Sequence, residues 1–128
     1  MDSRHTGPPP PSRVVTDSGV DHVRLAYHYL DTGDLDGYGS LLDPDVFDGG
    51  TGDPDVDVDA DAEALAAGLE RPGPPGVRHQ ITRIMAEGDC VVAIGRVAPQ
   101  QRDFVDVFTL SAEGMLRGRR RYYAPSAP

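Results

Sequence analysis

The chain has very few of several residue types, and each shortage narrows what it can be. Among its 128 residues there is no lysine, no tryptophan and a single cysteine, Cys90. One cysteine permits no internal disulfide, which favours a reducing compartment, and a buried, inert thiol is its simplest role. The N-terminal segment lacks an apolar run of the length that a signal peptide or a membrane span requires. We therefore expect a cytoplasmic protein without a membrane partner.

Positive charge is also scarce. The 12 basic residues are all arginine and stand against 21 acidic residues, which gives a formal net charge of -9 at pH 7. This balance argues against nucleic acid or an anionic membrane as a partner, because either would need a basic protein face to neutralise its phosphates. Arginine without lysine is the bias that the GC-rich codons of actinobacteria produce.

The familiar sequence signatures of catalysis and metal binding are missing as well. There is no HExxH, GxSxG, Walker A or GxGxxG pattern, so zinc hydrolysis, serine hydrolysis and nucleotide-driven chemistry are poorly supported. The aspartates that alternate between residues 53 and 61 suggest a calcium loop. An EF-hand beginning at Asp55 would need glycine where Ala60 stands and an acid where Ala66 stands, so a solvated acidic loop is predicted instead. We expect no metal and no cofactor.

The length allows one domain with one modest core. Four consecutive prolines at 8–11 fit neither a helix nor a sheet, so residues 1–16 are predicted to be a disordered, Pro-rich tail. The folded domain is predicted over residues 17–124, and residues 125–128 form a C-terminal tail.

Three helices are predicted in the first half of the chain. The first follows a cap at Asp17 or Ser18 and runs to about residue 32, with apolar residues at helical spacing, until Gly33 ends it. The second follows a cap at Asp34, and the third runs from about residue 62 to residue 70 after a cap at Asp61.

From Val77 onward the apolar pattern changes to a period of two. Strands are predicted at residues 78–86, 90–97, 102–110 and 116–123. The connections between them have hairpin lengths, so the four strands should form an antiparallel meander. Helices followed by a sheet make the fold class α+β.

One predicted strand carries a carboxylate on an apolar face. In the sequence FVDVFTL the alternation places Asp106 between Phe104 and Phe108. Desolvation between two aromatic rings favours the protonated carboxyl group and can bring it into the range of acid/base work. The alternatives are a structural pairing with a neighbouring arginine, or exposure to solvent if the faces are assigned the wrong way round.

Several short motifs occur along the chain in this order: GDLDG between two helices, DPDV, HQIxRIxxxGD, DVFTLxxxG and a terminal RYY. Over roughly residues 19–123 they resemble the nuclear transport factor 2-like superfamily, which includes SnoaL-like polyketide cyclases and ketosteroid isomerases. The resemblance implies a cystatin-like cone, in which N-terminal helices pack on a curved, mainly antiparallel sheet around a pocket. It also implies a homodimer formed through the outer face of the sheet.

The same resemblance assigns site residues. Asp106 falls where these enzymes carry a pocket aspartate that acts as acid or base. The hydroxyl-donating tyrosine of the isomerases falls on Ala26, next to Tyr27, and their proton-shuttling aspartate falls on Gly50. Steroid isomerisation by those residues is therefore not expected.

The remaining predicted site residues bind the ligand. In the register that the resemblance implies, Arg119 and Arg121 turn toward the pocket, where they would pair with Asp106 or hold a carboxylate or enolate oxygen. Solvated arginines are the alternative. The complete ligand-binding set is Tyr27, Tyr38, His79, Phe108, Arg119, Arg121 and Tyr123.

Two classes of function remain. The first is a cofactor-independent acid/base enzyme of SnoaL-like type, which cyclises, isomerises or dehydrates a polyketide-like intermediate in actinobacterial secondary metabolism, with Asp106 moving the proton. The second is a non-catalytic ligand-binding or accessory protein on the same scaffold. In both, the partner is a small hydrophobic or polyketide-like ligand.

Overall fold

A computed structural model describes residues 12–46, 60–70 and 77–125. The predicted tail up to residue 11 and the acidic loop up to residue 59 lie outside these ranges. The elements are α1 (Arg13–Thr32), α2 (Leu35–Gly39), a 3-10 turn (Pro44–Val46), α3 (Ala60–Glu70), β1 (Arg78–Glu87), β2 (Cys90–Ala98), β3 (Arg102–Leu110) and β4 (Leu116–Tyr123). The strands form one antiparallel sheet in the order β1-β2-β3-β4. The predicted α+β class and the meander are confirmed.

Helix α1 begins earlier than predicted. It starts at Arg13, so a cap at Asp17 or Ser18 is wrong, and residues 13–16 are helical instead of belonging to a tail. The cap is Ser12, whose side-chain oxygen accepts a hydrogen bond from the backbone N–H of Val15 at 3.2 Å. A serine in this position satisfies one of the free N–H groups of the first turn. No helix among the described residues is long and apolar enough to cross a membrane.

The other helix ends follow local chemistry. Gly33 ends α1 in the left-handed region at φ 77°, and its N–H donates to the carbonyl of Leu30, an arrangement that glycine adopts without steric cost. Helix α3 begins at Ala60, two residues before the predicted start. Asp61 is therefore inside the first turn instead of capping it, and its carboxylate accepts a hydrogen bond from Arg120 of β4 at 3.2 Å.

The sheet has an inner face, which carries Asp106 and contacts α1, and an outer face, which carries the alternate residues. The core lies between the inner face and the helices. Its fully buried apolar members include Val23, Leu65, Val91, Ala93 and Leu116, each 0% exposed. Val91 and Ala93 of β2 belong to this core, so these small inward residues serve packing.

Gly95 allows a close backbone contact between β1 and β2. A Cβ atom there would stand 2.3 Å from the carbonyl oxygen of Gln80. The contact lies beside an irregularity in β1, where the pairing register shifts between Ile81 and Arg83. The space that glycine leaves at this point is therefore filled by the neighbouring strand.

The register of β4 departs from simple alternation. Arg119 pairs with Phe108 and Arg121 with Asp106, but the register shifts between Thr109 and Leu110 of β3. Leu116 is consequently buried in the core while Arg117 is exposed. Simple alternation along β4 would put Arg117 on the same face as Arg119 and Arg121, but the strand irregularity changes which face each residue occupies.

Candidate functional site

Asp106 stands at the centre of a buried polar cluster on the inner face. It is 0% exposed, between Phe104 at 1% and Phe108 at 2%. Its Oδ1 accepts from Nε of Arg121 at 2.7 Å, and its Oδ2 accepts from Nη2 of Arg121 at 2.7 Å. The hydroxyl of Tyr27 on α1 donates to the same Oδ2 at 2.6 Å. The carboxylate therefore has a bidentate cation and a buried phenol as partners, and both oxygens are engaged.

Burial and charge fix the protonation of these partners. Burial, the negative charge of Asp106 and the hydrogen bond to it raise the pKa of the Tyr27 hydroxyl well above its ordinary value, so Tyr27 stays a hydrogen-bond donor. Burial alone would lower the pKa of Arg121, but the hydrogen bonds and charge of Asp106 outweigh it and raise that pKa. The Arg121 guanidinium also lies over the Phe104 ring, 4.3 Å from its centre.

His79 and Asp31 form a second buried pair beside this cluster. The carboxylate of Asp31, at the end of α1, contacts Nδ1 of His79 at 2.6 Å and accepts from its backbone N–H at 2.8 Å. The side chains are 8% and 15% exposed, His79 being the more buried. The imidazole packs against the rings of Tyr27, at 5.1 Å between centroids, and Phe104, at 5.8 Å. In the neutral imidazole that carries its hydrogen on Nδ1, where Asp31 accepts it, Nε2 has a free lone pair.

Sequence reasoning missed Asp31. One signal was available, since a carboxylate in the last turn of a helix is repelled by the partial negative charge of the helix end. An acid in that position needs a partner from outside the helix, and β1 supplies it 48 residues later in the chain.

Arg119 is the second arginine of β4 that lies on the inner face. Its Nε is buried and has no hydrogen-bond partner among the described residues. Its positive charge acts on the hydroxyls of Tyr27 and Tyr38. Arg119 and Arg121 therefore share a face of one strand but differ in pairing.

The other predicted ligand-binding residues occupy different surroundings. Tyr38 is 1% exposed and donates its hydroxyl to the carbonyl of Leu65 at 2.7 Å, so it joins α2 to α3. Burial raises the pKa of that hydroxyl. Phe108 is a core residue next to Asp106, whereas Tyr123 is 43% exposed at the end of β4, with the Arg102 guanidinium 4.0 Å from its ring centre. The structure thus brings Tyr27, His79, Phe108, Arg119 and Arg121 around Asp106 and leaves Tyr38 and Tyr123 at its margins.

Asp106 lines neither of the two described cavities. The first, of about 560 Å³, is lined by Ile94 and Tyr122 of the outer face and also by Phe104 and by Tyr123, a predicted ligand-binding residue. The second, of about 540 Å³, lies at the β1–β2 hairpin. The buried ionisable groups lie on the inner face, and none of them lines either cavity. No group of three or more potential metal ligands occurs within residues 12–46, 60–70 and 77–125.

Comparison with known proteins agrees with this architecture. The family model described as SnoaL-like domain matches residues 23–118. The chain belongs to the SnoaL-like family. The matched segment contains Tyr27, Asp31, His79 and Asp106, while Arg119 and Arg121 follow directly after it. No curated protein matches this SnoaL-like chain at a significant level.

Two solved structures show the same fold as this SnoaL-like protein. A SnoaL-like protein of unknown function from Burkholderia thailandensis is 17% identical, with 91% of this chain and 100% of that chain covered and a TM-score of 0.59. A putative ketosteroid isomerase from Kribbella flavida is 16% identical, with 88% and 82% covered and a TM-score of 0.57. The predicted superfamily is confirmed.

Proposed function

We propose that this protein binds a small, largely apolar, polyketide-like molecule on the inner face and acts on it by acid/base chemistry without a cofactor. Cyclisation, isomerisation and dehydration all need a group that takes a proton and a group that returns one. The observation that carries the proposal is the burial of two ionisable side chains in contact with Tyr27: Asp106 accepts a hydrogen bond from its hydroxyl, and the His79 ring lies 5.1 Å from its ring.

Each group has a stated role. Asp106 is the proton-transfer residue, and Tyr27 and Arg121 stabilise the negative charge on it or on a ligand oxygen that replaces it. His79 handles the second proton through Nε2, while Asp31 fixes the orientation of the imidazole. A proton reaches Asp106 only when the ligand displaces one of its present partners, because Arg121 and Tyr27 engage both oxygens.

The second candidate is a non-catalytic ligand-binding or accessory protein. The closed geometry around Asp106 favours it, since a carboxylate in a bidentate pair serves structure without any chemistry. Both candidates use the same interior and differ only in whether a proton moves.

Hydrogen exchange on a simple ketone separates the two. The probe is 2-tetralone, a flat bicyclic ketone, in deuterium oxide: a base removes one α-proton to give the enolate, and a deuteron returns to the same carbon. We expect the wild type to accelerate the exchange seen by NMR and Asp106→Asn to slow it roughly a hundredfold or more. Asp103→Asn is the matched control, because Asp103 lies on the same strand and is 58% exposed on the outer face.

The exchange experiment has two contrary outcomes. Binding of 2-tetralone without any exchange would leave the accessory protein as the function. Exchange at the wild-type rate in Asp106→Asn, with the fold intact by amide NMR, would remove Asp106 from the chemistry and leave His79 as the proton-transfer residue.

We also propose a cytoplasmic homodimer, formed through the outer face and serving actinobacterial secondary metabolism. The exposed apolar area of that face supports the dimer: Tyr122 is 52% exposed and Met85 is 47% exposed. Small-angle scattering at micromolar concentration should give a dimer mass for the wild type and a monomer mass for Ile94→Asp, which puts a charge on the outer face. A monomer mass for the wild type would contradict the dimer.

A further inference from the structure

The inner face holds one arginine that is paired with a carboxylate and one whose buried Nε has no hydrogen-bond partner among the described residues. Arg121 makes two hydrogen bonds of 2.7 Å to Asp106. Arg119, two residues earlier on β4, buries its Nε without any acceptor among the described residues. A buried N–H that loses its water without gaining an acceptor destabilises the folded protein. The unpaired Nε of Arg119 therefore lowers the stability of the folded protein, and no described residue of the cluster supplies the missing acceptor.

A lack of acidic partners does not explain this. The chain has 21 acidic residues for 12 arginines, and two other sheet arginines do find such partners: Arg96 pairs with Asp103, and Arg120 pairs with Asp61. The buried carboxylate of Asp106, two residues before the Phe108 that pairs with Arg119, already accepts hydrogen bonds from Arg121 and Tyr27. Among the described residues, the carboxylate of Asp106 is therefore already engaged and does not serve as the acceptor for the Arg119 Nε.

The neighbours of Arg119 are flat and largely apolar. It stands opposite Phe108 in the sheet register, and its positive charge interacts electrostatically with the hydroxyls of Tyr27 and Tyr38. Both hydroxyls donate elsewhere, to Asp106 and to the carbonyl of Leu65. Neither of them is a hydrogen-bond partner of the Arg119 Nε.

We infer that Arg119 is the anchor for an anionic oxygen of the ligand, and that the ligand class is a flat, apolar molecule bearing a carboxylate or an enolate. This rests on the proposed function, because it names the ligand that the same interior takes. A planar guanidinium binds the two oxygens of a carboxylate in one plane. Arg119 recognises the ligand, while Asp106 and His79 act on it.

The first test needs no ligand. Replacing Arg119 by an apolar chain of similar length removes the buried Nε–H that has no acceptor among the described residues, so Arg119→Met should raise the melting temperature by about 3 °C or more. Arg117→Met is the matched control, because Arg117 is exposed on the same strand, and it should leave the melting temperature unchanged. A fall in melting temperature for Arg119→Met would show that Arg119 stabilises the free protein and would overturn the inference.

The second test uses 2-naphthoate and its uncharged counterpart 2-naphthamide, titrated by NMR. Naphthoate should bind the wild type and Arg117→Met alike, at least tenfold more tightly than naphthamide, and about tenfold or more weakly to Arg119→Met. Equal affinity for the acid and the amide would overturn the inference. So would the absence of naphthoate binding to the wild type up to about 10 mM, or unchanged binding in Arg119→Met.

The two proposals fail in distinguishable ways. If naphthoate binds through Arg119 but Asp106→Asn exchanges 2-tetralone like the wild type, the anion site stands and the proton role of Asp106 falls. If Asp106→Asn abolishes exchange on the uncharged 2-tetralone while naphthoate does not bind, the acid/base proposal stands and the anion anchor falls.

Discussion

The inner and outer faces of the sheet each carry an arginine–aspartate pair that spans two adjacent strands, and the pairs are placed in opposite environments. On the inner face, the Arg121 side chain is 15% exposed and the Asp106 side chain 0%. On the outer face, Arg96 and Asp103 are 50% and 58% exposed, with one contact of 2.9 Å from Nε to Oδ1. Water can replace the partner in the outer pair but not in the inner one.

The difference shows where the fold holds charge in place. A solvated pair contributes little, because water and ions screen it and two long side chains must be ordered. A buried pair offers little net stability when complete, but removing one partner leaves a charge without water. The inner face therefore keeps its ionisable groups in fixed positions, which acid/base chemistry requires, and the outer face does not.

The largest expected effect breaks the inner pair. Arg121→Met leaves Asp106 buried with only Tyr27 as a partner, so the free energy of unfolding should fall by about 3 to 5 kcal/mol. Arg96→Met makes the same change on the outer face and should cost under about 1 kcal/mol. Urea unfolding of both variants measures the comparison. Equal costs would show that burial does not distinguish the two faces.

The next effect removes the phenol from the same cluster. Tyr27→Phe deletes a hydrogen bond of 2.6 Å to a buried carboxylate and should lower the free energy of unfolding by about 1.5 to 3 kcal/mol, the range for hydrogen bonds to charged groups. Tyr29→Phe is the control on the same helix, because its hydroxyl makes no hydrogen bond to a described residue. A cost for Tyr27→Phe no larger than that of Tyr29→Phe would contradict the role of the hydroxyl.

The residues of the inner face were largely predictable from the sequence, but the pairing of Asp106 with one particular arginine was not. Strand alternation alone puts Asp106 between Phe104 and Phe108, because side chains on a strand have a period of two. Which arginine reaches Asp106 depends on the register of β3 with β4. That register shifts between Thr109 and Leu110, and no feature of the local sequence indicates the shift.

Contacts between elements that are far apart in the sequence were not predicted either. Asp31 and His79 meet because the end of α1 lies over β1, a matter of tertiary packing that neither segment encodes by itself. The start of α1 was misplaced for a related reason. Asp17 and Ser18 are good caps in isolation, but Ser12 supplies a cap five residues before Asp17, and helix ends shift readily between such competing signals.

A smaller effect tests the second inner pair. Asp31→Ala removes the acceptor for two donors of His79 and should lower the free energy of unfolding by about 1 to 2 kcal/mol. Nitrogen NMR of the imidazole gives a more direct readout, since the hydrogen should reside on Nδ1 in the wild type and lose that preference in the variant. Asp21→Ala, at an exposed position of the same helix, is the control. An unchanged tautomer in Asp31→Ala would mean that Asp31 does not orient His79.

The smallest expected effect appears at alkaline pH and sharpens the comparison without disturbing any contact at neutral pH. The folded state raises the pKa of the Tyr27 hydroxyl well above its ordinary value of 10.0. As the pH rises past 10, the unfolded chain releases this proton while the folded protein retains it, so the stability that the group contributes is complete below pH 10 and declines above it. One such group gives a slope of at most about 1.4 kcal/mol per pH unit. Tyr27→Phe should therefore lose stability less steeply above pH 10 than the wild type. Parallel slopes for the two proteins in urea unfolding would mean that Tyr27 ionises as easily in the folded protein as in the unfolded chain, and that its hydroxyl is not held in the buried cluster.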